Sequence, residues 1–188
     1  PSSGKTALAL NITDHVVCNE GLPVLIFCPN DSAGLIAHRM VCASGNIEPY
    51  RLRSGLLTDP EWPSLTEAIE RYQDAPLHIH DASYLSFADI QDECRRLVDL
   101  HGALGLVIID SLQHITQEDI TNEKSNSICR KLKILAREIR SPILVTTNLN
   151  RGVDARIDKR PTLSDLSEMG EIEQYSDLVL FLFRDARH

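Results

Sequence analysis

Pro1-Ser2-Ser3-Gly4-Lys5-Thr6 joins small residues to a lysine and a hydroxyl, a combination suited to holding phosphate. Ser2, Ser3 and Gly4 let backbone N–H groups approach an anion closely, Lys5 reaches the outer phosphates, and the Thr6 hydroxyl can hold magnesium. A helix that starts here, with Ala7 in its first turn, points its positive end at the same anion. Gly4-Lys5-Thr6 closes the pattern G-x-x-x-x-G-K-[ST], whose first glycine would stand two residues before Pro1. Alone the tripeptide is a weak signal, because it also arises by chance. Asp110 strengthens it. The six residues before it, Leu104 to Ile109, are apolar or glycine and read as a buried strand, and an acid at such a strand end can coordinate magnesium through water. The bland alternative is an aspartate capping the next helix. Together the two segments point to ATP and Mg2+ as ligands, with Lys5 and Asp110 at the centre of the chemistry.

These residues need a scaffold. Short apolar runs at 23–28, 77–80, 104–110, 143–147 and 178–183 read as strands buried on both faces. Between them lie helical periods. Residues 64–73 open on a capping-box pattern, Ser64-x-x-Glu67, with Leu65, Ala68, Ile69 and Tyr72 on one side, and Trp62 is expected to pack at its start. Residues 87–101 place Ile90, Cys94, Leu97, Val98 and His101 on one face, and 123–140 do the same with Ile128, Leu132, Leu135, Ala136 and Ile139 before Pro142. The alternation predicts an α/β fold: a mostly parallel sheet, helices on both faces, and ligands at the carboxyl ends of the strands. Residues 1–188 read as a single domain. The irregular stretch 148–177 is long enough to be functional.

Composition narrows the classes. With 43% hydrophobic and 24% charged residues the chain is an ordinary globular protein, and its net charge of -8 rules out a bulk basic field for nucleic acid. Any DNA contact must come from a local cluster. Arg151, Arg156, Lys159 and Arg160 form one, interrupted by Asp154 and Asp158, though such mixed charge alone reads as a solvated loop. The five cysteines are scattered, without C-x-x-C pairs, and read as reduced core residues. Reduced cysteines fit a cytoplasmic location, and no apolar run is long enough to cross a bilayer, so no membrane partner is expected. His78 and His80 share a strand face, but without a third ligand they read as structural. His114 follows Asp110 closely, and nothing in the sequence assigns it a role.

An ordered series of segments resembles the C-terminal domain of the DnaB-type replicative helicases. It runs from His38-Arg39-Met40 through Arg51 to Gly55, Asp59 to Trp62, Ala75-Pro76, Ile109 to Gln113, Lys159-Arg160-Pro161, Asp165 to Glu168 and Gly170 to Asp177, and ends at Phe183-Arg184-Asp185. The resemblance covers nearly the whole chain. It implies a RecA-like P-loop NTPase core that hydrolyses ATP to move along single-stranded DNA, assembled as a hexameric ring with ATP between neighbours. A helicase loader and primase become expected partners. It further implies that the first strand precedes Pro1 and the last ones follow His188, so the core is expected to be truncated at both ends.

Three departures from that pattern bear on mechanism. The family's water-activating glutamate, after the second strand, is here Asn30, an amide that can position water but cannot take its proton. Asp31, one residue along and a methylene shorter, could substitute only if Pro29 shifts the loop; the alternative is that both residues cap the following helix. The glutamine that senses the terminal phosphate is here Asn148, and an arginine is here Ser167. These departures favour a second reading, a degenerate module that binds nucleotide and DNA with little hydrolysis. A RecA-like recombinase or clock-type ATPase is a weaker third.

Overall fold

The computed structural model describes residues 3–116, 127–150, 152–153, 156, 158–169 and 172–183, with backbone alone for 167–169. Ser2, Arg151, Asp154, residues 123–126 and Arg184-Asp185 therefore lie outside the described residues, as does the side chain of Ser167. Helix α1 (Lys5–Asp14) continues into a π-helical turn at His15–Asn19, then come β1 (Val24–Phe27), α2 (Ala33–Ser44), α3 (Pro49–Ser54) and α4 (Glu61–Gln73). Next are β2 (Leu77–His80), β3 (Leu85–Ser86), α5 (Phe87–His101), β4 (Leu106–Ile109), a 3-10 turn at Leu112–His114 and β5 (Ile115–Thr116). Helix α6 (Ile128–Glu138), β6 (Ile143–Val145), a 3-10 segment at Leu163–Met169 and α7 (Ile172–Tyr175) complete the order.

The main sheet is parallel throughout, in the order β2-β1-β4-β6. Register aligns Phe27 with His80 on one side and Ile109 on the other, and Ile109 with Val145, so four strands end in one row. Alternation then sorts side chains between two layers. Leu25, Phe27, Val107 and Ile109 pack against Ile90, Cys94 and Leu97 of α5 and Leu132 and Leu135 of α6. Val24, Ile26, Leu106 and Ile108 pack against Ala9 and Leu10 of α1 and Ile36 and Met40 of α2. Both faces of β1 and β4 are thereby buried, which is why their sequences are continuously apolar. Gly105 is needed where β4 begins: a Cβ there would meet Leu22 Cβ at 2.5 Å.

Cys28 and Cys94 are buried free thiols in these layers and Cys42 is buried on α2, whereas Cys18 and Cys129 are partly exposed. Burial, with the charges of Asp81, Asp31 and Asp110 adding to it, pushes the Cys28 thiol up to about 12.

Several expectations change. Helix α4 begins at Glu61, three residues before the Ser64 pattern, and the real capping box is Ser86 with Asp89 at the head of α5. Pro63 is tolerated because it falls in the first turn, where its missing N–H has no partner to lose. Trp62 is 54% exposed rather than packed in as an anchor. Residues 178–183 are not a strand. A strand needs a neighbour for its backbone groups, and this run pairs with none of the described strands, leaving Leu178 75% exposed. The third long helix starts at Ile128 with Ser127 as its cap. Nδ1 of His80 is buried with no hydrogen-bond partner, while His78 and His101 share an Nε2–Nε2 contact of 2.8 Å.

Candidate nucleotide site

Gly4 ends the phosphate segment in the left-handed region, with φ 93°, immediately before α1. Nothing would touch a Cβ there, so glycine is required by its conformation rather than by space. The turn is closed by the Leu8 N–H donating to the Gly4 carbonyl at 2.9 Å. Among the described residues no side chain caps α1, which leaves its first N–H groups for an anion. Ser3, Gly4, Lys5, Thr6 and Ala7 all line a cavity of about 480 Å3 that runs along α1 to Arg39 of α2 and Tyr72 of α4.

Thr6 in the first turn faces the end of β4. Its hydroxyl donates to Asp110 Oδ2 at 2.6 Å, across 104 positions of chain. The other oxygen of Asp110 accepts from the Thr146 hydroxyl at the end of β6. The Asp110 N–H donates to the Phe27 carbonyl at 2.9 Å, and the Thr146 N–H to the Ile109 carbonyl at 3.0 Å, so the row of strand ends continues past the sheet. A hydroxyl and a carboxylate at one point, beside a free helix N-terminus and a lysine, fit a hard divalent cation bound together with a polyphosphate. Elsewhere, among the described residues, no group of three His, Cys, Asp or Glu side chains could hold a metal ion.

Asn30 and Asp31 do not cap α2. Ser32 is the cap, accepting from the Leu35 N–H at 3.2 Å, and Asp81 accepts from the Ala33 N–H at 2.7 Å. That frees the two residues for other partners. Asp31 pairs with Arg39 at 2.7 Å, and the Asn30 amide lies 2.5 Å from Nε2 of His114. Asn148 is exposed beyond β6, beside a small cavity of about 170 Å3 that it lines with Gln113, Thr147 and Asp165.

The basic cluster divides. Arg156 is half-buried and bonded to Asp165 at 2.6 Å, whereas Lys159 and Arg160 are exposed. Asp165 lies below its ordinary value, chiefly because it accepts the Thr162 N–H and then because of Arg156. Sequence reasoning missed Thr146, His114, Arg39 and Tyr72 as parts of this region. Thr146 was within reach, since it directly follows a strand whose end must fall beside Asp110.

The model of the DnaB-like helicase C terminal domain matches residues 1–188. This chain belongs to that family. A DnaB-type relative, the replicative DNA helicase DnaB of Geobacillus stearothermophilus, is 42% identical over 189 residues, covering 98% of this chain and 41% of the relative. The chain thus spans about two fifths of that relative's length. Among solved structures, one described as an ATPase domain superposes with a TM-score of 0.91 at 28% identity, over 98% of this chain and 66% of the other. A DnaB-like replicative helicase described with its interactions with primase gives a TM-score of 0.87 at 28% identity, over 94% of this chain and 43% of the other. The parallel sheet of this DnaB-like domain is accordingly of the RecA-like P-loop type, and the expectations of family and fold hold.

Proposed function

We propose that this DnaB-like domain is the ATP-hydrolysing motor of a replicative DNA helicase. The observation that carries the reading is the 2.6 Å bond between Thr6 and Asp110 at the open head of α1. In this reading Lys5 and the N–H groups after Gly4 hold the phosphates of ATP, and Thr6 with Asp110 holds Mg2+, which would neutralise phosphate charge. Lys159 and Arg160, with Arg151, contact the backbone of single-stranded DNA, independently of its sequence. Arg156 acts differently, by holding the loop to Asp165. Asn148, beyond β6, relates the terminal phosphate to that loop.

The working form is a cytoplasmic hexameric ring with a helicase loader and primase as partners. The primase assignment takes support from the solved relative described with primase. No helix among the described residues is long and apolar enough to cross a membrane.

The test is ATP turnover by the full-length protein, with and without single-stranded DNA, beside sedimentation with ATP and Mg2+. DNA-stimulated turnover by a hexamer is expected. Tight nucleotide binding with no turnover would replace this reading with a ring component that binds without hydrolysing, and a monomer throughout would remove the ring.

A further inference from the structure

Among the described residues, the buried polar ones are Thr13, Ser111, Ser141 and Thr146. A hydroxyl taken out of water needs a hydrogen-bond partner. Thr13 and Ser141 find theirs close by in the chain, in the carbonyls of Ala9 at 3.0 Å and Pro142 at 3.4 Å. Thr146 differs. Its hydroxyl reaches across 36 positions to a carboxylate, donating to Oδ1 of Asp110. The other bonds of Thr146 are made by its main chain: its N–H donates to the Ile109 carbonyl and its carbonyl accepts from the Leu112 N–H, both at 3.0 Å. Any residue but proline makes those two bonds, which hold position 146 against both sides of Asp110. Only the bond to the carboxylate requires a hydroxyl.

We infer that Thr146 is a positioning residue for Mg2+: it holds Oδ1 of Asp110 so that Oδ2 stays turned toward Thr6 at the head of α1. The inference rests on the reading above of Thr6 and Asp110 as the holders of the ion. Rotation about the last bond of an aspartate side chain is soft, so an untethered carboxylate turns its oxygens through a broad range. Asp110 is tethered on one oxygen from β6 and on the other from α1, and a turn would break both bonds. Mg2+ is sensitive to such order because it demands near-ideal octahedral geometry. Hydrogen bonds to a metal-holding side chain fix its orientation, and losing one lowers metal affinity by about 10- to 100-fold. A threonine that served only the fold would act through its methyl group and its main chain, and neither of these depends on Mg2+.

The experiment reads binding rather than turnover: the full-length protein is titrated with a fluorescent ATP analogue, first with Mg2+ chelated and then over a series of Mg2+ concentrations. Thr146→Val keeps the shape of the side chain and removes the hydroxyl. The Mg2+ concentration that gives half of the gain in affinity is expected to rise by about 10- to 100-fold, while affinity without Mg2+ stays at the wild-type value. Thr146→Ser keeps the hydroxyl and should retain the wild-type midpoint. Thr146→Ala lacks it and should match valine, so the outcome does not depend on the folding of one variant. A wild-type midpoint in Thr146→Val or Thr146→Ala, or an equal rise in Thr146→Ser, overturns the inference and leaves the nucleotide site intact. Wild-type protein whose affinity for the analogue ignores Mg2+ overturns both.

Discussion

At the scale of single residues, the site depends on groups far apart in sequence whose spacing is set by the sheet. Lys5 stands apart from this lattice. It is the one side chain in the phosphate segment that brings positive charge, and nothing in the Thr6–Asp110–Thr146 chain of bonds relies on it. Lys5→Ala is therefore expected to leave the fold intact and weaken ATP binding. A hydrogen bond to a charged partner is worth about 1.5–3 kcal/mol, so affinity should drop by roughly 10- to 150-fold. Titration with a fluorescent ATP analogue reads this directly, and unchanged affinity would place the phosphates elsewhere. Asp110 is a poorer probe, because its replacement would leave hydroxyls on two elements without their acceptor.

At the scale of elements, α1 and α4 are joined beside the cavity by Asp14, Arg71 and Tyr72. The Tyr72 hydroxyl donates to Asp14 Oδ1 at 2.5 Å, and Arg71 pairs with the same carboxylate at 3.0 Å. Burial alone would push Asp14 up, but the Tyr72 bond and the Arg71 contacts outweigh it and hold the carboxyl below its ordinary 3.8. A depressed folded value means stabilisation that is present above the unfolded value and lost as pH falls through the folded one. Tyr72→Phe should thus cost about 1 kcal/mol at neutral pH. The difference from wild type should shrink in acid well below 3.8, as measured by denaturant unfolding at both pH values. A constant difference would assign the loss to packing instead.

Legibility at this scale followed burial. Strands β1, β2, β4 and β6 and helix α5 could be read because each shows a period or a continuous apolar run. Helix α4 starts at Glu61, and its start was misplaced because Ser64-x-x-Glu67, which lies inside the helix, has the residue pattern of a capping box. Strands β3 and β5 are two residues each, too short for any pattern. In the site, Gly4, Lys5, Thr6 and Asp110 were readable because their motifs are local. The Asn30–His114 contact spans 84 positions and depends on strand order, which no local spacing encodes.

At the scale of the whole molecule, a net charge of -8 leaves the proposed DNA contact to the place where exposed cations lie. Lys159 and Arg160 are two of them. Replacing both with alanine should weaken single-stranded DNA binding without changing ATP affinity. It should also flatten the logarithmic salt dependence by about 1.4, at roughly 0.7 per lost phosphate contact. Fluorescence anisotropy across a salt series measures both, and an unchanged slope would move the DNA path off this loop. The buried thiol of Cys28 offers a clock for the same molecule. At about 12, its thiolate population at pH 8 is only about one in 10⁴, so an alkylating reagent is refused while β1 stays sandwiched. Labelling of Cys28 therefore counts the moments when the sheet itself parts. Its rate, followed with and without nucleotide, would tell whether filling the cavity merely occupies an edge or locks the centre of the domain shut.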